Sequence, residues 1–344
     1  MQKYEKSYDH NFNEKKKETK IKVLVTGASG FIGSRVVSKL LSSSTFPSHL
    51  SSNSYEILCL TRNIDSLRGR YEQYKGAFKT IVADVNDYPQ LLKAMAGVTI
   101  AFYLIHSMEG SSREWKKFSE RDRRAAENFA KAASECGVDR IIYLGGLIPE
   151  ENGEESNKIS DHMRSRKEVG DILRTSSARV TIFRAAVILG HGGGSFQMLE
   201  YLVKRLPVMV CPKWVLTKSQ PISVDDVVEY LVKAIDVSDT EGRDFDIGGT
   251  EVLTYIQMMR RYAKMINKSI KIIIIPFLTP RLSSYWVNLI TPVKASLARP
   301  LIDSLKHEAT VKDNAIKKLI PLTLKTFEEA IKAAEEEEHV KKEY

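Results

Sequence analysis

The run IKVLVTGASGFIGSRVVSKLL, residues 21–41, constrains this chain more than any other stretch. Ile21 to Val25 is a β-branched apolar strand, Thr26-Gly27 breaks it, and an amphipathic helical pattern then runs to Leu41. Gly27, Gly30 and Gly33 fall three apart between the two. A strand-to-helix turn needs that spacing when a diphosphate must approach the start of the helix. The first glycine allows the tight turn, the second lets the backbone come close, and the third lets helix pack on strand. Ser29, Phe31 and Ile32 are then candidates to hold phosphate through loop and helix N–H groups, helped by the helix dipole. A glycine-rich turn kept only for packing is the competing explanation. It weakens because this turn heads a long strand–helix alternation.

Further strands are read at YEILCLTRN, FKTIVADV, VTIAFYLIHS, RIIYLGGL and ARVTIFRAAVILG, and the intervening segments are helical. One helix is expected around Tyr88 to Met95, a long one from Glu114 to Glu135, and one through DHMRSRKEVG. Strands that are almost wholly apolar belong in a parallel sheet covered by helices on both faces. The expected fold is therefore α/β, a doubly wound parallel sheet of the Rossmann kind, with a smaller and mostly helical C-terminal substrate cap. Residues 1–20 mix both charge signs with little to bury and read as a disordered arm. Residues 21–190 form the dinucleotide-binding part, with 221–250 returning to it. Residues 191–220 and 251–334 form the cap, IKIIIIPFL from Ile270 includes a buried strand, and 335–344 is a solvated charged tail.

Ligands in such sheets sit beyond the carboxyl ends of the strands. The second strand ends in Thr61-Arg62-Asn63, where NAD-selective folds usually place a carboxylate for the ribose 2′-hydroxyl. A guanidinium there can stack on adenine and pair with a 2′-phosphate, so NADP(H) is expected over NAD(H), with a solvated surface arginine as the alternative. Asp84 and Val85 after the third strand, and Leu104 and Ile105 after the fourth, are further cofactor-binding candidates. Asp84 has a turn or helix cap as its ordinary alternative.

Composition narrows the partners. The net charge of +9 is spread along the 344 residues, with no stripe of Arg and Lys interleaved with aromatics, so nucleic acid is not expected. Three distant cysteines and seven scattered histidines show no CxxC or HExxH spacing, which argues against disulfides and metal and suits a reducing, cytoplasmic setting. No apolar run is long enough to span a membrane, which leaves peripheral contact open. Oligomerisation stays open too: Trp115, Phe118 and Phe129 on the long helix could pair subunits, and sheet packing explains them as well.

With TGASGFIG at its start, the chain resembles the short-chain dehydrogenase/reductase superfamily, on its extended and atypical side. QPISVDDVVEYL and FDIGGTEVLTYIQMM resemble segments of extended members. YLIHSM, GGLIPE, FRAAVILGHGGGSF and SLARPLIDSLKHE resemble a narrower group, similar to NmrA-like proteins and to the NADPH-binding accessory subunit of respiratory complex I. The likeness runs from about Ile21 to Ala333. It implies an active-site Tyr-x-x-x-Lys on the helix after the fifth strand, yet His162 stands at the tyrosine position and Arg166 at the lysine, with Ser165 just before it. The usual catalytic serine falls in Leu144-Gly145-Gly146-Leu147, which has no hydroxyl.

His162 and Arg166 are therefore the catalytic candidates. Arg166 can clamp nicotinamide ribose as a fixed cation or lie as plain helix surface. His162 is a poorer general acid than a tyrosine beside lysine, and a packed histidine is its ordinary alternative. Tyr103, His106, Tyr143 and His191 also follow or end strands. The expected activity is NAD(P)H-dependent reduction of an apolar small molecule such as a quinone, enal or ketone. The alternatives are a non-enzymatic NADPH-binding structural or redox-sensing protein, and a nucleotide-sugar epimerase or dehydratase. The apolar segments LEYLVKRLPVMV and SSYWVNLITPV favour a hydrophobic substrate, unless they form the cap's own core.

Overall fold

The computed structural model describes residues 20–42, 55–74, 76–106, 115–148, 160–275 and 301–343. The expected N-terminal arm, the serine-rich stretch after Ser42 and SSYWVNLITPV lie outside them. The chain opens with β1 (Ile21–Thr26), α1 (Phe31–Leu41), β2 (Tyr55–Thr61), β3 (Phe78–Val82), α2 (Tyr88–Ala94) and β4 (Ile100–Tyr103). It continues with α3 (Trp115–Glu135), β5 (Arg140–Gly146), α4 (Asp161–Leu173), β6 (Arg179–Ala185) and β7 (Ile188–Leu189). Next come α5 (Gly194–Arg205), β8 (Val208–Pro212), β9 (Lys218–Ser219), β10 (Ile222–Ser223), α6 (Val224–Lys233) and β11 (Asp244–Ile247). Last are β12 (Leu253–Thr254), α7 (Tyr255–Met265), β13 (Lys271–Ile275), α8 (Ala315–Leu319) and α9 (Phe327–Glu343).

Seven strands make one sheet in the order β11-β6-β5-β4-β1-β2-β3, and every neighbouring pair is parallel. Parallel neighbours need crossovers, and the alternating strands and helices supply them. The strand order reverses between β1 and β4, which opens a crevice at their carboxyl ends. Side chains along β1 alternate between two cores. Val23 and Val25 join Val36, Val37 and Leu40 of α1 and Val227 and Leu231 of α6. Leu24 joins Leu91 of α2, Phe129 of α3 and Val169 of α4 on the other face. Each such aliphatic side chain, fully buried, contributes roughly 1.5–3 kcal/mol. The doubly wound expectation holds.

A third apolar cluster joins Phe196, Leu199 and Leu202 of α5, Met209 and Cys211 of β8, Met258 and Tyr262 of α7, and Phe327 and Ile331 of α9. LEYLVKRLPVMV thus contributes much of its apolar surface to this cluster's own core.

The structure corrects three expectations. Ile316 of α8 and Ile320 pack into the core of the main sheet, so the chain does not stay with the third cluster through residue 334. Gln220 helps draw it back: its Oε1 accepts from the Val311 N–H at 3.0 Å and its amide donates to the Gly249 carbonyl at 2.8 Å. The second correction is β13, which is not buried. It pairs with β8 in a separate two-stranded parallel sheet, and Ile273, Ile274 and Ile275 are 42, 38 and 37% exposed. Only the side of β8 carrying Met209 and Cys211 meets the core. The third correction is the charged run from Glu335, which continues α9 to Glu343 and is ion-paired rather than freely solvated. Glu337 pairs with Arg35, and Glu335 and Glu338 lie 3.7 and 3.2 Å from Lys204 Nζ.

Candidate functional site

At the crevice, Thr26 ties β1 to β4. Its hydroxyl donates to the Phe102 carbonyl at 2.9 Å and accepts from the Leu104 N–H at 3.0 Å. The chain then turns at Gly27, whose φ of +65° suits a residue without a side chain. A Cβ on Gly27 would stand 2.6 Å from the Leu104 carbonyl oxygen and 3.3 Å from Ile105 Cγ2, and one on Gly33 would stand 2.1 Å from the Gly27 oxygen. Gly27 accepts from the Gly30 N–H at 2.8 Å, which closes the turn. Gly30 is exposed and caps α1 with extended backbone and no side-chain hydrogen bond. The first N–H groups of α1, those of Phe31, Ile32 and Gly33, are thus offered at an uncapped helix start, the arrangement that takes an anion. Ser29 is half-buried beside it.

Two supports of this loop were not foreseen. Tyr71, buried, donates from its hydroxyl to the Ala28 carbonyl at 2.6 Å. The Phe31 ring lies against Gly190 and Gly193, where a Cβ would come within 3.3 and 2.7 Å of its Cζ. Gly190 and Gly193 thus leave room for that ring, and Gly192 between them takes a φ of +82°. Arg35 crosses the same ring at 4.7 Å and donates to the His191 carbonyl at 2.8 Å, so His191 belongs to the helix-α1 side.

Arg62 is exposed just past β2, where its charge helps hold Asp84 ionised. The nearest acid, Asp65, pairs with Arg68 at 3.0 Å. Burial acts to raise the Asp84 carboxyl. Hydrogen bonds from Asn86, with Arg62 and Arg121, outweigh it and leave the group below its usual range. Asp84 accepts from both the backbone and the side chain of Asn86, at 2.9 and 3.0 Å, so it closes its own turn. Val85 is buried, and its carbonyl accepts from Asn128 at 3.1 Å.

On the other side of the crevice, α4 begins at Ser160, whose hydroxyl accepts from the Met163 N–H at 3.2 Å. That cap sets His162 and Arg166 one turn apart on a helix packed against β5. Arg166 donates to the Leu144 carbonyl near the end of β5 and lies 5.1 Å over the Tyr143 ring. It is not plain helix surface. Tyr143 and Tyr103 are core residues, nearly wholly buried and 5.9 Å apart edge to face, and the Tyr143 hydroxyl donates to the Arg166 carbonyl at 3.0 Å.

The site holds a side chain that the sequence did not single out. Asp122 of α3 is buried, with its Oδ2 3.0 Å from His106 Nδ1, and His106 Nε2 lies 3.3 Å from His162 Nδ1. Carboxylate and two imidazoles thus form one hydrogen-bonded row. Burial pushes the His106 ring below its ordinary range, Arg166 pushes it the same way, and Asp122 resists. Burial, then His106, then Arg166 push His162 well below its ordinary range. Both shifts favour the neutral ring. A signal for Asp122 was present: it shares the helical stripe of Ala125, Ala126 and Phe129, all buried, and a carboxylate on such a stripe needs a partner. Among the described residues, no group of three His, Cys, Asp or Glu side chains has the arrangement to hold a metal ion.

A parallel sheet reversing beside an uncapped, glycine-built helix start defines the Rossmann class of fold. The NmrA-like family model matches residues 19–319, and the chain belongs to that family. Solved structures share the architecture. Citrobacter sp. triphenylmethane reductase complexed with NADP(H) is 19% identical with a TM-score of 0.69, over 91% of this chain and 100% of that one. An NADPH-dependent quinone oxidoreductase from Escherichia coli, complexed with NADPH, is also 19% identical, with a TM-score of 0.67 over 92% and 99%. A UDP-glucose 4-epimerase from Thermotoga maritima is 16% identical, with a TM-score of 0.68 over 93% and 99%. At these identities the likeness is one of fold. No curated protein matches the chain, and no helix among the described residues is long and apolar enough to cross a membrane.

Proposed function

We propose that this chain is an NADPH-dependent oxidoreductase of the atypical short-chain type, acting on an apolar carbonyl, enal or quinone. One observation carries the reading: the α1 start is uncapped, and Gly27 before it and Gly33 within its first turn stand where any side chain would strike backbone. The residues fit a dinucleotide. The N–H groups of Phe31, Ile32 and Gly33 would hold its diphosphate, and Ser29 would stand beside it. Leu104 and Ile105 would flank it, and Asp84 and Val85 would lie toward the adenine. When bound, the reduced nicotinamide supplies a hydride. Triphenylmethane reductase and the quinone oxidoreductase, each solved with NADP(H) or NADPH, support this choice of chemistry.

Arg62 favours the 2′-phosphate. The end of β2 carries no carboxylate to accept from a ribose hydroxyl, and the next acid is engaged with Arg68. Arg166 would orient the nicotinamide half from the end of β5, and His162 would exchange the proton that accompanies the hydride. Calorimetric titration with NADPH and NADH, followed by absorbance assays with quinones, enals and ketones, tests the reading. NADPH is expected to bind at least tenfold more tightly, with turnover on a panel member lost in His162→Phe. Absence of binding by either nucleotide refutes it. Tight binding without turnover moves the chain to the non-enzymatic alternative. The epimerase alternative is weaker because the superfamily's Tyr-x-x-x-Lys pair is missing here.

A further inference from the structure

We infer that Asp122, His106 and His162 form a proton relay that stands in for the absent tyrosine and lysine and fixes which nitrogen of His162 faces the reaction. The inference rests on the reading of the crevice as a dinucleotide site. Its geometry stands by itself: His106 Nδ1 is 3.0 Å from Asp122 Oδ2, and His106 Nε2 is 3.3 Å from His162 Nδ1. The row also lies in the right place. His106 directly follows Leu104 and Ile105, which wall Gly27, and Arg166, one turn beyond His162, is tied to the end of β5. These are the carboxyl ends of β4 and β5, where open parallel sheets bind their ligands.

Hydrogen-bond direction along the row is set from one end. An ionised carboxylate only accepts, so Asp122 calls for the proton on His106 Nδ1. When His106 is neutral, its Nε2 is then an acceptor, which requires the proton of His162 on Nδ1. That tautomer puts the lone pair of His162 on Nε2. One added proton reverses the second half. His106 becomes imidazolium against Asp122, its Nε2–H donates to His162 Nδ1, and the His162 proton moves to Nε2.

From that loaded state, carbonyl reduction balances. With a reduced nicotinamide bound, which would supply the hydride pair to the carbonyl carbon and be oxidised to the nicotinamide cation, the C=O π pair would become an O–H bond to the proton leaving His162 Nε2. His162 Nδ1 takes the proton of His106 Nε2, and the row returns to neutrality. Solvent reloads it with one proton. Among the described residues, the charged and titratable groups acting on the row are Asp122 of α3, Arg166 of α4, and Tyr103 and Tyr143 of β4 and β5. Because burial first, and Arg166 after it, disfavour a cation in the row, the loaded state is scarce at neutral pH. Reduction should therefore quicken as pH falls from 8 to 6, and oxidation of the corresponding alcohol should quicken as it rises.

Nitrogen-15 NMR of the histidine rings in the full chain, without cofactor or substrate, tests the relay separately from the dinucleotide reading. At pH 7.5 the wild type should show His106 and His162 both protonated on Nδ1. A proton on Nε2 of His162 overturns the proposal with no variant needed. In Asp122→Leu, verified as folded by its NMR dispersion, the acceptor is gone and the His162 proton should move to Nε2; an unchanged His162 ring overturns it. Where NADPH binds and turnover is found, His106→Phe should lower kcat for reduction at least tenfold with the NADPH Kd unchanged. It should also abolish the rise in rate between pH 8 and 6, and retention of that rise counts against the relay. Correct tautomers in a chain that binds no dinucleotide would leave the relay standing and remove only the function proposed for it.

Discussion

Gly27 and Gly33 meet across one carbonyl, and the glycine loop depends on that approach. A Cβ at residue 33 would sit 2.1 Å from the Gly27 oxygen, well inside contact distance, and the atom it strikes is backbone. Gly33→Ala should therefore push α1 off β1, at a cost of about 1–3 kcal/mol in urea unfolding. It should also weaken NADPH binding at least tenfold. Gly146→Ala is the control, since nothing lies within 4 Å of its added carbon; equal losses in both variants would refute the close-packing account. A second residue-scale prediction concerns Asp226. Burial first, then Asp225 and Glu229, push its carboxyl up to about 6, against the Lys325 N–H it accepts at 3.0 Å and the Lys325 charge. A carboxyl raised on folding adds stability below about pH 4 and loses it as pH climbs through 6, a swing on the order of 2–3 kcal/mol. Asp226→Asn should thus gain on the wild type between pH 4 and 7. A difference in urea midpoint that does not vary with pH across that window would contradict the assignment.

At the scale of elements, Lys204 of α5 is the counter-ion of a crowded patch. Glu200 lies 2.6 Å from its Nζ, and Glu335 and Glu338 reach it from α9. Burial raises the Glu200 carboxyl, so removing this cation leaves like charges facing each other across two helices. Lys204→Met should cost about 1–3 kcal/mol at pH 7, discounted because the lysine is partly exposed. The cost should shrink as pH falls below 5 and the carboxylates take protons. A penalty that is the same at pH 4.5 and 7.5 would show that packing, not charge, holds α5 to α9. This patch also marks where the sequence was hard to read. EEEEHVKKEY looks like a solvated run because pairing with Arg35 and Lys204 spans more than a hundred residues. Asp122 differs: its buried stripe was legible, but the partner it needs, His106, lies outside its helix, in the segment after β4. The exposure of β13 was hidden too, since an apolar run does not say how many of its faces are covered. Local features were legible instead. The glycine turn, the strand–helix alternation and the His162–Arg166 spacing each lie within one or two elements, and the structure places them as the period and turn chemistry imply.

Across the whole molecule, the sheet and the third apolar cluster are joined by segments that run between them. α9 pairs with Arg35 of α1 at one position and with Lys204 of α5 at others, while Gln220 pins residues 249 and 311 to the same corner. The α1 start lies at this junction, because the Phe31 ring that follows the glycine loop seats on Gly190 and Gly193 at the entry to α5. A dinucleotide held at the α1 start should accordingly stabilise the folded chain as a unit. A ligand that binds only the native state adds about 2.7 kcal/mol at a hundredfold excess over its Kd, which for a chain of this size raises Tm by roughly 3–5 °C. NADPH should produce that rise, and NADH at the same concentration a rise smaller by at least the 1.4 kcal/mol that a tenfold affinity ratio implies. If Arg62 meets the 2′-phosphate, as proposed, Arg62→Ala should bring the NADPH curve down to the NADH curve and leave the latter in place. Identical shifts for both nucleotides in the wild type would remove Arg62 from the cofactor site, and an Arg62→Ala chain that loses both shifts equally would make it a structural residue of β2.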